Sequence, residues 1–145
     1  MLDDPTLTLR EGLQRLRQQN TSVFSAREVT PEAEAFFRCH DTAHVVFGCD
    51  TSLYGEGVLK LFTMFGTTLG FWKHITGYFQ ADAGSLFMQY RWRQVAKNLL
   101  KVIIDAPRVI LRARQMSKPW PWSEHAEYLD VAVSDIRREF NIKVI

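Results

Sequence analysis

The residues best suited to chemistry in this chain lie between positions 40 and 56. His40 and His44 are four positions apart, and Asp41 stands beside the first of them. On a helix, residues four positions apart differ by about 40° of rotation, so the two imidazoles project from one face, with Asp41 on its flank. Glu56 follows after eleven intervening residues. Two imidazoles with carboxylates suit a divalent ion. The spacing therefore predicts a metal site formed by His40, Asp41, His44 and Glu56.

Burial of these side chains would need compensation. The same helical face carries aromatic residues such as Phe36 and Phe47, which places Asp41 against the core. Burying an unpaired carboxylate is costly, and a metal ion compensates that cost in one step. A salt bridge or a hydrogen-bond network would also compensate it, so both alternatives stay open.

Two other histidine patterns fit these residues less well. Metalloproteases with His-Glu-x-x-His use the glutamate to activate water, and Asp41 is one methylene too short for that role. Phosphohydrolases of the His-Asp type need a further histidine upstream, and no histidine precedes His40. Cys39 is a minor candidate for a soft ligand, because the residue before His40 points away from His44.

Length and composition indicate a single domain over residues 1–145. A chain of 145 residues buries roughly two-thirds of its unfolded surface on folding. Its net charge of +2 gives no support to general polyanion binding. Two cysteines do not make a disulfide framework and predict a reduced compartment. The acidic N-terminus, with Asp3 and Asp4, lacks the basic character of a signal or transit peptide.

The apolar periodicity is helical throughout, which predicts an all-α fold. Thr30-Pro31-Glu32 is typical of a helix start, and no segment alternates as a strand does. The expected helices cover residues 7–16, 31–48, 53–79, 83–104 and 107–116, with a last one that opens at residue 123.

The helix expected over residues 53–79 is apolar on nearly every side and would be the long central helix of the domain. Its uncharged run, 61–72, is shorter than the roughly twenty residues that span a bilayer. Gly66, Gly70 and Gly77 each cost about 1 kcal/mol in a helix interior. They indicate close helix packing or a groove for a long apolar ligand.

The wider block FFRCHDTAHVVFGCDTSLYGEGVLK, residues 36–60, resembles the Coq-four family of ubiquinone (coenzyme Q) biosynthesis proteins. The hallmark of that family is His-Asp-x-x-His, eleven residues and Glu. Gly48, Thr51 and Gly55 also occupy family positions. The segment KPWPW, 118–122, and the amphipathic stretch after it are similar to the family's C-terminal end. The resemblance covers most of the chain, from about residue 31 onward.

The resemblance implies removal of the ring carboxylate from a polyprenyl-hydroxybenzoate, alone or coupled to hydroxylation at that carbon. Zinc is the expected divalent metal, because it suits simple decarboxylation as a Lewis acid. Iron(II) is the alternative if oxygen takes part, since zinc cannot change its oxidation state. The polyprenyl tail is expected along the central helix, with walls from Phe62, Phe65, Leu69 and Trp72.

A basic stripe with interleaved aromatic residues predicts contact with a membrane surface. It runs from Arg91 to Lys118 and includes Lys97 and Lys101, with Trp92 and the pair Trp120 and Trp122 nearby in sequence. No nucleic-acid-binding motif accompanies it. The expected location is the cytoplasmic face of a bacterial inner membrane, or the matrix side of the mitochondrial inner membrane for a processed eukaryotic chain.

Two alternatives to an enzyme of this kind stay open. The first is a non-catalytic lipid-binding scaffold that gathers other quinone-biosynthesis proteins, either as a monomer or as a homodimer. Its metal would be structural, with every coordination position filled by protein, whereas a catalytic metal keeps one position open. A monomer and a homodimer stay open for the enzyme as well as for the scaffold. The second is a hydrolase that uses a metal-bound water on the same ligands.

Overall fold

The computed structural model describes residues 6–19, 31–69 and 92–145, and in these ranges the chain is helical. Within them lies no β-strand, only two isolated bridges that pair Thr8 with Ala132 and Thr67 with Trp120. The all-α prediction is confirmed for the described part of the chain. Its helices are α1 (Leu9–Gln19), α2 (Pro31–Phe47), α3 (Leu53–Gly66), α4 (Trp92–Arg114) and α5 (Val133–Glu139), with a 3-10 helix at His125–Tyr128.

Helix α2 lies at the centre of the described structure and packs against α1, α3 and α5. Helix α3 packs along α4, and two glycines allow a close approach. A Cβ at Gly57 would lie 2.5 Å from Cγ2 of Val102, and one at Gly66 would lie 2.9 Å from Sδ of Met116. These contacts favour the packing explanation for Gly66 over the groove.

The C-terminus of α2 ends in a left-handed turn, and a side chain of α5 donates hydrogen bonds to its last carbonyls. Gly48 has φ of 67°, the left-handed conformation that glycine adopts most easily after a helix. Arg137 of α5 donates hydrogen bonds from Nε to the carbonyl of Val46 (2.9 Å) and from Nη2 to that of Val45 (3.0 Å). No N–H group within the helix donates to these last carbonyls. Arg137 therefore supplies the hydrogen bonds that they would otherwise lack.

The predicted helix over residues 53–79 is wrong as a continuous element, because α3 ends at Gly66. Thr67 is extended, and the segment around Trp120 takes over the backbone bonds. The Trp120 N–H donates to the carbonyl of Gly66 (2.8 Å), and the Thr68 N–H donates to that of Trp120 (2.9 Å). Residues 70–79 lie outside the described residues. None of the described helices has the length and apolar character needed to cross a membrane.

The predicted break between residues 104 and 107 is also wrong, because α4 continues through Pro107. Proline lacks one N–H and so removes one helical hydrogen bond. Here Pro107 is exposed, and the buried residues Val109 and Ala113 hold the helix against the core directly after the lost bond. The part of this prediction that covers residues 83–91 lies outside the described residues.

The last predicted helix, from residue 123, divides into the 3-10 helix and α5. The intervening carbonyls accept hydrogen bonds from the start of α1: the N–H of Leu9 donates to Val131 (3.0 Å), and that of Arg10 donates to Leu129 (2.8 Å). A helix through these positions would use the same carbonyls internally. Tertiary pairing with α1 therefore interrupts the helix.

Candidate metal centre

Three of the four predicted ligands come together between α2 and α3. One ligand atom from each of His40, His44 and Glu56 lies within 4.8 Å of the other two. Glu56 bridges the imidazoles: Oε1 is 2.9 Å from Nε2 of His44, and Oε2 is 3.3 Å from Nε2 of His40. The two rings meet edge to face with centroids 4.6 Å apart. The four-residue spacing on α2 accounts for the histidine pair.

His44 is oriented by a backbone carbonyl. Its ring nitrogen Nδ1 lies 3.0 Å from the carbonyl oxygen of Cys49, and a carbonyl can only accept, so Nδ1 carries the proton in this bond. In the neutral ring, Nε2 then presents its lone pair toward Glu56. A backbone carbonyl behind a histidine is a common partner of metal-binding imidazoles. It fixes both the tautomer and the ring orientation.

The Nε2 atom of His44 is buried, and among the described residues it has no well-aligned hydrogen-bond partner. Glu56 Oε1 is close enough, at 2.9 Å, but does not lie in line with the ring nitrogen. With a neutral imidazole, the lone pair on Nε2 of His44 faces the Glu56 carboxylate, and these two electron-rich groups repel one another. A cation between them, either a proton or a metal ion, relieves that repulsion.

The pKa values show how the three groups behave when a proton supplies the charge. Burial by itself lowers the pKa of His44, but the nearby Glu56 carboxylate outweighs it and raises that pKa above its ordinary value. Burial raises the pKa of Glu56, yet the close contacts with His40 and His44 outweigh it and hold that pKa well below its usual range. The site thus favours positive charge between its imidazoles and its carboxylate.

The local structure at the start of α3 places Glu56 beside His40 and His44. Ser52 caps the helix by accepting a hydrogen bond from the N–H of Gly55 (3.1 Å), and Asp50 Oδ1 accepts from the Ser52 N–H (3.0 Å). A Cβ at Gly55 would overlap the backbone of Asp50. Glycine before Glu56 therefore lets the connecting loop fold tightly, with the carboxylate in the first turn of α3.

Asp41, the fourth predicted ligand, is not part of this group. Its side chain is buried, and its Oδ2 lies 3.9 Å from Nε of Arg17 on α1. Burial raises the pKa of Asp41, while the charges of His40, His44 and Arg17 act in the opposite direction. The ion pair with Arg17 offsets the cost of burying this carboxylate, which is the salt-bridge alternative to a metal ion. A place for Asp41 among the metal ligands stays a prediction.

The cysteines contribute no thiol to the group. Cys39 and Cys49 are buried free thiols, and burial raises the pKa of Cys49 to about 12, which disfavours the thiolate that binds metals. Cys49 acts through its backbone carbonyl instead, a role that sequence reasoning missed. The only sequence signal was Gly48, whose left-handed turn brings that carbonyl back toward His44. Arg17 gave no signal, because its position depends on how α1 docks.

The residues predicted to line a lipid tunnel are in different environments. Phe62 is fully buried and stacks on Phe47 with ring centroids 4.8 Å apart. Phe65 is 40% exposed, and Leu69 is partly buried against the core. Trp72 lies outside the described residues. Phe62 therefore belongs to the core, and lipid contact by the set stays a prediction.

The basic stripe contains a more prominent apolar surface than the sequence indicated. Trp120 and Trp122 are buried, so they do not belong to an exposed docking face. On α4, by contrast, large apolar side chains are 57–74% exposed. We call them the α4 apolar stripe, which consists of Trp92, Leu99, Leu100, Ile103, Ile104 and Leu111.

The chain matches no protein-family model, no curated protein and no solved structure. The resemblance to the Coq-four family therefore remains a hypothesis based on the motif residues.

Proposed function

We propose that the protein holds a divalent cation between His40, His44 and Glu56 and acts with it on the head group of a polyprenyl-hydroxybenzoate. One observation carries the metal part of the proposal: two imidazoles converge on a carboxylate, and the buried Nε2 of His44 lacks an aligned partner. Two histidines and a glutamate are a ligand set typical of catalytic zinc. The quinone-pathway substrate rests on the resemblance to the Coq-four family.

The asymmetric burial of the site favours an enzyme over a structural metal site. The His44 side chain is only 1% exposed, whereas His40 is 14% exposed and Glu56 is 28% exposed. One side of the group therefore faces the core, and the other opens outward. Three protein ligands with an open side leave room for water or substrate.

The chain supplies further groups for a substrate carboxylate. A divalent ion in this site would act as a Lewis acid on that carboxylate and on charge that develops as carbon dioxide leaves. Lys60 lies four positions after Glu56 and projects from the same side of α3. It is partly buried, and burial lowers its pKa while Glu56 opposes that shift. A cation at this position would attract the carboxylate and help to orient it.

Elemental analysis of the purified protein tests the metal, and mass spectrometry of extracted lipid tests the substrate class. We expect one zinc per chain and a prenylated aromatic compound. Iron in place of zinc would favour the oxidative form of the reaction. His44→Ala should lose the metal after dialysis, whereas His125→Ala, which changes a histidine outside the group, should keep it. Wild-type metal content in His44→Ala would contradict the proposal.

We propose a membrane surface as the place where the protein meets such a substrate. At about 100° per residue, the α4 apolar stripe covers roughly 140° of the helix, and basic residues such as Lys97, Lys101 and Arg108 adjoin it. An exposed apolar face beside a basic one is the pattern of a helix that lies in an anionic lipid interface. This supports a peripheral location at a bacterial inner membrane or at the matrix side of the mitochondrial inner membrane.

A non-catalytic lipid-binding scaffold for other quinone-biosynthesis proteins is the second candidate, because the α4 apolar stripe would serve it equally well. Metal coordination separates the two candidates. A bound metal with an exchangeable water supports the enzyme, whereas a site saturated by protein ligands supports the scaffold. X-ray absorption spectroscopy of the metal-loaded protein, with and without a hydroxybenzoate, measures this difference directly.

A further inference from the structure

A cavity with several polar side chains in its lining lies on another side of α2, away from the metal centre. Its volume is 260 Å³, several times the ~30 Å³ share of one water molecule in the liquid. It opens between α1, α2 and the 3-10 helix. The polar side chains that line it include Arg10, Arg17, Arg38, Thr42 and His125.

The cavity is lined by guanidinium groups, which are positively charged hydrogen-bond donors. Three guanidinium groups and one imidazole face it, and none of its described lining residues is acidic. On α1, Arg10 and Arg17 are seven positions apart, two turns along one face. On α2, Arg38 and Thr42 are four positions apart and share a face in the same way. Two helices thus present guanidinium donors to one space, while the hydroxyl of Thr42 donates to the backbone carbonyl of Arg38 (2.8 Å).

The existing ion pairs leave these arginines able to take a further anion. Nε of Arg17 is 3.9 Å from Asp41, and Nη1 of Arg38 is 3.5 Å from Glu34, both longer than a good hydrogen bond. Arg10 makes a bidentate pair with the exposed Asp130, from Nε (2.8 Å) and from Nη2 (3.0 Å). Each guanidinium carries five N–H donors, so this pair uses two of the donors of Arg10.

We propose that this cavity binds a phosphate group through Arg10, Arg17 and Arg38. Planar guanidinium groups match the oxygens of phosphate and bind them through paired N–H donors. His125 also lines the cavity, where its Nδ1 lies 3.2 Å from the carbonyl oxygen of Trp122. The site goes beyond the proposed function and needs neither the metal nor the prenylated substrate.

The phosphate can belong to a free phosphorylated molecule or to a phospholipid head group. Isothermal titration with inorganic phosphate and pyrophosphate, at constant ionic strength, measures the first source. Binding to phosphatidic acid vesicles, compared with vesicles of phosphatidylserine at equal surface charge, measures the second. Excess inorganic phosphate should displace the protein from phosphatidic acid only if the cavity holds the head group.

Arg17→Gln and Arg38→Gln, singly and together, are the test variants, and Arg15→Gln on the same helix as Arg17 is the matched control. We expect the double variant to bind phosphate or pyrophosphate at least tenfold more weakly than the parent, and Arg15→Gln to bind within twofold of it. Metal content is measured in every variant and should not change, so failure here is distinct from failure of the metal centre.

A measurement on the unchanged protein keeps the proposal testable if the variants fold poorly. Phenylglyoxal modifies accessible arginines, and mass spectrometry identifies them. Pyrophosphate should slow modification of Arg17 and Arg38 severalfold and leave Arg15 unaffected. Equal modification with and without pyrophosphate, or phosphate binding that is unchanged in the double variant, would overturn the proposal.

Discussion

Polar atoms are buried among apolar side chains around His44, whereas large apolar side chains are exposed among basic ones along α4. At the first place, the ring of His44 is 1% exposed and faces the Glu56 carboxylate. At the second, Ile104 is 68% exposed and Trp92 is 74% exposed. Each region departs from the usual distribution of polar and apolar groups, and each departure indicates a missing partner. A buried electron-rich cluster needs a cation, and an exposed apolar stripe needs an apolar cover.

The two regions also differ in how they would bind. The metal centre depends on a few atoms at fixed distances, so one substitution should remove nearly all of its affinity. Membrane binding by the stripe depends on buried apolar area and on charge, both summed over many side chains. Its affinity for a membrane should therefore fall stepwise as side chains are replaced.

Glu56→Gln should have the largest effect. The amide keeps the shape of the side chain but removes the charge that balances a divalent ion, and we expect metal affinity to fall by about 100-fold or more. Competition with a chelating dye measures the dissociation constant. Glu124→Gln, on an exposed glutamate, is the control and should bind metal as the parent does. A fall of less than tenfold in Glu56→Gln would place the metal elsewhere.

Leu100→Ser combined with Ile104→Ser should have the next largest effect, on binding to vesicles. Burial of one large aliphatic side chain contributes about 1.5–3 kcal/mol, so partial insertion of two supports a fall of about tenfold to 100-fold. Vesicle flotation measures the bound fraction. Ile145→Ser changes an exposed apolar residue outside α4 and should have no comparable effect. If the double variant binds vesicles as well as Ile145→Ser does, the stripe is covered by something other than lipid.

Lys97→Glu combined with Lys101→Glu should weaken binding to anionic vesicles in a salt-dependent way. Each basic residue near such a surface contributes about 1 kcal/mol, so we expect a loss of about tenfold or more at low salt. The difference should shrink as salt rises, since screening shortens the reach of charge to about 10 Å at 0.1 M. Lys143→Glu is the control for reversal of a charge outside α4. Equal parent binding to neutral and anionic vesicles would assign no docking role to these lysines.

The smallest expected effect is a pH dependence of the thermal stability of the metal-free protein. It arises because a proton takes the place of the metal ion between His44 and Glu56. The folded-state pKa of His44 is raised, so its stabilising contribution is present below its unfolded pKa and is lost as pH rises through the folded value. The metal-free protein should therefore lose thermal stability over that window. Metal affinity should increase over the same window, because protons compete for Nε2.

Thermal unfolding across pH, with and without zinc, measures both trends. His44→Gln should flatten the profile of the metal-free protein, whereas His125→Gln should leave it unchanged. A metal-free protein whose stability rises through this pH window would contradict the role given to the His44 and Glu56 pair.

The sequence by itself determined those features that depend on a single helix. Four-residue spacing places His40 and His44 on one face of α2, and Thr30-Pro31-Glu32 predicted its start correctly. Gly48 predicted its end within one residue. Glu56 could be associated with the histidines because the connecting loop is short, and the intervening chain limits how far apart they can lie.

The tertiary structure decided which surfaces these helices bury. Apolar composition predicted a helix through residue 79, but the pairing of Gly66 and Thr68 with Trp120 ends α3 earlier. Asp41 faces Arg17 only because α1 docks against α2. Periodicity shows which residues share a face, but it does not show which element covers that face. Those contacts join residues distant in sequence, and their energies depend on the packing of the whole chain.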